Sequence, residues 1–196
     1  MYLCRWWISL IYISMKHLGL FENFKTYFPI QIPPGKEQSI ELIMKYGPKT
    51  WWIGDFETSD PEVIREMFSK DCELNVRHEA LHILQKLNIP EIFVGYGDIT
   101  IKGEWFSQIS ENNFSISGIE HQENFRDYFT REYEIMAYAF SYILIKKSPG
   151  AKIKQDGTLC DTEFEENADK IYKSIDDYYY DRFLYYCHEY LKVENI

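Results

Sequence analysis

The chain has 196 residues, 45% of them hydrophobic and 17% aromatic, which excludes disorder and gives enough apolar mass for one sizeable core, so a single domain over 1–196 is expected. Its 21 basic and 31 acidic residues give a formal charge of -10. No basic stripe interrupts that acidity, and an acidic surface repels phosphate backbones, which sets nucleic acid aside as a partner.

Trp6 to Met15 reads WWISLIYISM, nearly apolar after a single Arg5. About ten residues are half of the roughly twenty needed to span a bilayer. No small-x-small cleavage site follows, because Lys16, His17 and Leu18 come next, so no membrane partner is expected. Two readings of this end stay open. Residues 1–14 belong to the native protein, or Met15 is the true start, since Met15 to Glu22 resembles the opening of small bacteriophage proteins. Cys4, Cys72, Cys160 and Cys187 are scattered with no Cys-x-x-Cys pair. That pattern reads as reduced thiols in a cytoplasmic protein (of a phage-infected host cell, if the phage-like start holds), with Cys187 in the core.

Residues 29–36 are a Pro/Gly-rich break, after which Ser39 to Lys45 reads as a helix closed by Gly47-Pro48. Thr50 to Ile53 is a candidate strand. Asp60 with Pro61 starts the next helix, its buried side marked by Val63, Ile64 and Met67. Asn75 is the expected N-cap of a helix running to Leu87 and stopped by Asn88-Ile89-Pro90. Ile92-Phe93-Val94 and Ile99-Thr100-Ile101, around Gly95 to Asp98, look like a small hairpin, and Asn112 to Ser117 like a surface loop. Thr130 can cap a long helix through Lys147, whose two terminal lysines suit the negative end of the helix dipole. A linker with Gly and Asp leads to Thr162-x-x-Glu165, a capping box opening a helical region to about Val193, with Ser174-x-x-Asp177 as a candidate break. Its aromatic stripe, including Phe164, Tyr178, Tyr179, Tyr186 and Tyr190, recurs at helix spacing and reads as packing. The fold class is α+β, mostly α, with a small sheet or hairpin.

The chemistry lies in the helix after Asn75. His78-Glu79-x-x-His82 places two imidazoles on one helix face, about 6 Å apart in rise, so both can reach one ion. Glu79, rotated about 100°, stands beside that ion rather than on it. Chance alone yields such a motif in roughly one chain of this composition in a hundred. A catalytic zinc needs a third protein ligand and an open position. His121, Asp127, Glu132, Glu134, Asp161 and His188 are candidates. Glu134 is preferred because Ala137 and Ser141 follow it on one face, and with Ala80 on the partner helix they allow close helix packing. Glu132 points about 160° away and suits the N-terminal end of the dipole. Gln85, one turn after His82, is a candidate for orienting that ligand.

His78-Glu79-x-x-His82, followed by Glu134-x-x-Ala137-x-x-Phe140-Ser141, resembles the gluzincin class of zinc metallopeptidases, and more narrowly the small ImmA/IrrE-type and phage-encoded members. The resemblance covers roughly residues 75–145 and implies a zincin-like helical core, residues 75–147 forming a two-helix metal-binding unit. It makes His78, His82 and Glu134 the Zn2+ ligands and Glu79 the general base of a peptide-bond hydrolase acting on a protein or peptide. Ser141 stands where Ala is common, and no strand directly precedes the His helix. Tyr133, Tyr138, His121 and His188 are open candidates for stabilising the oxyanion. The alternatives are a catalytically inactive zinc-binding protein that acts through protein–protein interaction, and a metal-free helical interaction protein.

Overall fold

The fold is built around one helix that is buried on all sides. The computed structural model describes residues 35–53, 56–93, 126 and 128–193. In chain order it comprises α1 (Lys36–Tyr46), β1 (Trp51–Ile53), β2 (Phe56–Thr58), α2 (Pro61–Lys70), α3 (Glu73–Asn88) and a 3-10 turn at Pro90–Phe93. Then come α4 (Glu132–Lys147), a second 3-10 turn at Pro149–Lys152, α5 (Glu163–Glu166), α6 (Ala168–Ile175) and α7 (Asp177–Leu191). Every residue of α4 from Tyr133 to Leu144 is buried. A helix that is apolar all round needs neighbours on every face. Here α3, α5, α6 and α7 all pack against it.

α3 lies between two apolar clusters. Leu74, Leu81 and Leu84 join the larger one around α4, with Phe140, Tyr172 and Phe183. Val76, Ala80 and Ile83 join a smaller one with Ile40 and Ile43 of α1, Trp51, and Ile64 and Phe68 of α2. Burial on two faces fixes the rotation of α3 about its axis, and with it the direction of both histidines. Trp51 sets its ring edge-on to Phe68 at 4.9 Å and donates from its indole to the Pro48 carbonyl at 3.0 Å. This ties the antiparallel β1–β2 hairpin, paired Trp51 with Thr58 and Ile53 with Phe56, to the α1–α2 side. Among the described residues no helix is long and apolar enough to cross a membrane.

The described residues are mostly helical, with a small sheet, as expected, and β1 falls where Thr50–Ile53 predicted a strand. Asp60 caps α2 by accepting from the Glu62 amide at 2.9 Å, a contact worth about 1 kcal/mol. Several local expectations are corrected. Val63 is 40% exposed, and Phe68 takes the buried position one turn beyond Ile64. Cys72, not Asn75, is the N-cap of α3, because Asn75 turns back to Asp71 at 3.2 Å. Ile92 and Phe93 lie in a 3-10 turn after Pro90 rather than in a strand, while 94–101 and 112–117 fall outside the described residues. Arg131 rather than Thr130 precedes α4. The Thr162 hydroxyl donates to Glu166 instead of the helix backbone, and its helix ends after four residues. Asp176, capping Tyr178 at 2.8 Å, marks the later break.

The largest correction concerns the thiols. Cys72 and Cys160, 88 residues apart, form a disulfide with their Cα atoms 6.4 Å apart, while Cys187 is free and buried. Sequence separation carries no information about proximity across so long a loop. The partner comes near because residues 153–160 fold back as a tight turn. Ile153 bridges Leu159, with Gly157 at φ 85 supplying the left-handed position.

Candidate metal centre

His78 and His82 project from the middle of α3 toward the first turn of α4, where Glu134 stands. The two Nε2 atoms are 3.2 Å apart, and Glu134 Oε2 lies 3.9 Å from the first and 3.6 Å from the second. The point equidistant from three atoms with these separations lies about 2.1 Å from each, the length of a Zn–N or Zn–O bond. Glu134 Oε2 and Glu79 Oε2 are both buried and find no hydrogen-bond partner among the described residues. An orphaned carboxylate oxygen costs free energy that a cation would recover. Two imidazoles and one carboxylate are a donor set that suits zinc, so the residues present fit the ion.

The other ring nitrogens are held from behind. His78 Nδ1 is 2.9 Å from Ser141 Oγ of α4, and His82 Nδ1 is 2.9 Å from Gln85 Oε1. Gln85 in turn donates through Nε2 to the Tyr133 carbonyl at 2.9 Å. That bond fixes its amide orientation, so Oε1 is the end that meets His82 and accepts from Nδ1–H. Nδ1 is thus the nitrogen held by the protein, and Nε2 is the one that faces the centre and would ligate an ion once it gives up its proton. Gln85 and Ser141 are fully buried. Rings close the walls, with Tyr138 edge-on to His78 at 5.3 Å and Tyr133 edge-on to His82 at 5.6 Å.

The electrostatics follow from burial. His78 is pushed well below the ordinary imidazole value, by desolvation first and then by the neighbouring His82. Burial, the largest single influence, would lower His82 too, but the Glu134 carboxylate, Glu79 and Gln85 together outweigh it and lift His82 to about 9. Glu79 is raised to about 7, mainly by burial and further by the Glu134 charge. The site therefore holds three ionisable groups whose environment drives their proton affinities apart, a pattern that collects at functional sites.

The remaining sequence candidates are placed elsewhere. Glu132 is engaged by Arg182 and the Tyr186 hydroxyl of α7. Asp161 accepts from the Glu163 amide at 3.2 Å. His188, on α7, neighbours Glu189. His121 and Asp127 lie outside the described residues. Ala80 does not face α4; it belongs to the cluster around α1 and α2. Ala137 and Ser141 are the small, fully buried residues on the α4 side. One neighbour escaped the sequence reading. Tyr128 stands near Glu134, and burial first, then the Glu134 charge, push its hydroxyl well above the ordinary tyrosine value. With 16 tyrosines in the chain, only the fold could single it out.

Comparisons with protein-family models, with curated proteins and with solved structures find no match to this chain.

Proposed function

We propose that the chain is a zinc-dependent metallopeptidase of gluzincin type, acting on a protein or peptide. The observation that carries the reading is the convergence of His78 Nε2, His82 Nε2 and Glu134 Oε2 at zinc-ligand spacing, near Glu79, one of whose carboxylate oxygens is buried with no hydrogen-bond partner among the described residues. Zinc held there supplies a Lewis acid that acidifies water and polarises a scissile carbonyl. The protein's own part is positional. Ser141 and Gln85 keep the two imidazoles aimed, Glu134 supplies the anionic ligand, and Glu79 accepts a proton from the attacking water and returns it to the leaving amine. Tyr128, kept protonated by its surroundings, is a standing donor for developing negative charge on the substrate oxygen. A purely structural zinc site has no use for a further carboxylate with an unpartnered oxygen, which favours the enzyme.

One observation favours the second reading, an inactive zinc-binding protein that works through partners. A cleft of about 940 Å³ opens between α2, Ile53 and residues 154–156, and its lining includes none of the candidate ligands. The test is Glu79→Gln against wild type, with zinc measured by elemental analysis and hydrolysis followed on an unstructured protein substrate. The enzyme reading expects equal zinc and lost turnover. Identical behaviour of the two proteins in hydrolysis would reject it, and absence of stoichiometric zinc would reject both metal readings.

A further inference from the structure

We propose that the Cys72–Cys160 bond is a thiol-controlled lock on the candidate metal centre, opened by a small charged thiol of the glutathione class that enters the cleft beside α2. The inference rests on the metal reading above. Its first support is topological. The bond closes the chain from 72 to 160, a loop that contains α3 with both histidines and α4 with Glu134. Cys72 is the N-cap of α3, six residues before His78. The bond therefore anchors the start of the His helix to the 153–160 turn, whose Gln155 amide also reaches the Lys70 carbonyl at the end of α2.

The second support is the polar setting of the sulfurs. Asp71 Oδ1 lies 3.2 Å from Cys160 Sγ, and Asn75 Nδ2 lies 3.6 Å from the same atom. Asp71 also accepts from the Cys72 amide at 2.8 Å, and its backbone carbonyl accepts from Lys36 Nζ at 2.6 Å. A reduced Cys160 finds an acceptor for its S–H and a donor to its sulfur already in place. A disulfide serving only as a staple needs neither. Access is the third support. Asp71 and Asn75 line the open cleft, together with Lys70, Lys154, Glu66 and Asp156, so it offers both signs of charge to a zwitterionic peptide thiol. Neither cysteine lines the cleft itself; Cys160, 6% exposed, touches the lining residues Asp71 and Asn75, while Cys72 is fully buried, so Cys160 is the sulfur an entering thiol meets first.

The exchange balances as two steps. An incoming thiolate forms a bond to Cys160 Sγ, the Cys72–Cys160 bond breaks, and the electron pair leaves on Cys72 Sγ, which takes up a proton. That leaving group sits at the N-terminus of a 16-residue helix, where free backbone N–H groups favour a thiolate. A second thiol then attacks the mixed disulfide, freeing Cys160 and releasing the oxidised small disulfide. Two thiols are oxidised and one protein disulfide is reduced.

The test equilibrates the full zinc-loaded chain in buffers of varied reduced and oxidised glutathione. Thiols are counted in denaturant, melting is recorded, and zinc transfer to a chromophoric chelator is followed. The expected count rises reversibly by two on reduction, the two sulfurs of Cys72 and Cys160. The reduced protein should melt roughly 10 °C lower, the order expected for opening a long loop in a chain of this size. It should also yield half its zinc at a chelator concentration about tenfold lower. Cys160→Ser, and separately Cys72→Ser, should behave as reduced protein in every buffer. A thiol count that does not change between oxidising and reducing buffers overturns the proposal, as does equal zinc retention in the two states, which leaves the metal reading standing. Zinc absent from both states overturns the proposal and the metal reading together.

Discussion

Ser141 Oγ stands 2.9 Å from His78 Nδ1, joining α4 to α3 through the back of an imidazole. Ser141 is fully buried and sits seven residues after Glu134, so one face of α4 supplies both a candidate ligand and the group that orients another. Ser141→Ala keeps the close helix packing and removes only the hydroxyl. It should weaken zinc binding about tenfold, as loss of an orienting partner generally does, with little change in helix content. Competition against a chromophoric chelator, alongside circular dichroism, checks this. Unaltered affinity would mean that packing alone aims His78.

Glu132 and Glu134 are two residues apart and have different tasks. Glu134 presents an unpartnered oxygen to both histidines. Glu132 is consumed by Arg182, itself only 6% exposed, and by Tyr186. Glu134→Ala should therefore abolish stoichiometric zinc. Glu132→Ala should leave zinc bound but lower stability by about 3 kcal/mol, because it removes the carboxylate paired with a buried guanidinium. Urea unfolding and metal analysis of both variants separate the roles. The reverse pattern would exchange them.

The candidate site was largely legible in the sequence because helix periodicity is a local rule. His78, Glu79 and His82 need only about 100° per residue to be placed, and the choice of Glu134 over Glu132 needed the same rule and the size of Ala137 and Ser141. What the sequence withheld depends on contacts across the fold. Ala80 sits on an α3 face that also meets apolar neighbours, so its small size carried no mark of which helix it served. Asn75 is a good cap by type, yet Asp71 offered its amide a partner and the helix began earlier. Cys72 and Cys160 became neighbours only through the turn at Gly157.

Tyr128 precedes α4 and stands near the Glu134 carboxylate. Burial and that negative charge keep the phenol protonated, so it can donate throughout the neutral range. If it donates to the substrate oxygen in the transition state, Tyr128→Phe should lower kcat about a hundredfold with KM and zinc content nearly unchanged. Steady-state kinetics on a cleaved peptide gives the split. A change confined to KM would assign Tyr128 to substrate binding instead.

Glu165, on α5, is a carboxylate with no cation bonded to it among the described residues. Phe164 beside it packs on Phe129 at 5.8 Å, which holds α5 close to the site. Burial first, then the charges of Asp161 and Glu166 on its own segment and Glu134 across on α4, raise it from 4.5 to about 7. Tyr138 of α4 feels its charge in return. The folded chain thus keeps this proton up to about pH 7, while the unfolded chain releases it near 4.5. Between those values the folded state binds more protons, so stability must fall as pH rises through the window. Glu165→Gln copies the neutral form at every pH. It should match wild type in urea unfolding at pH 4.5 and exceed it at pH 8 by about 1–3 kcal/mol, since a tenfold change in proton affinity is worth about 1.4 kcal/mol. An equal difference at both pH values would show that the carboxyl does not titrate between them.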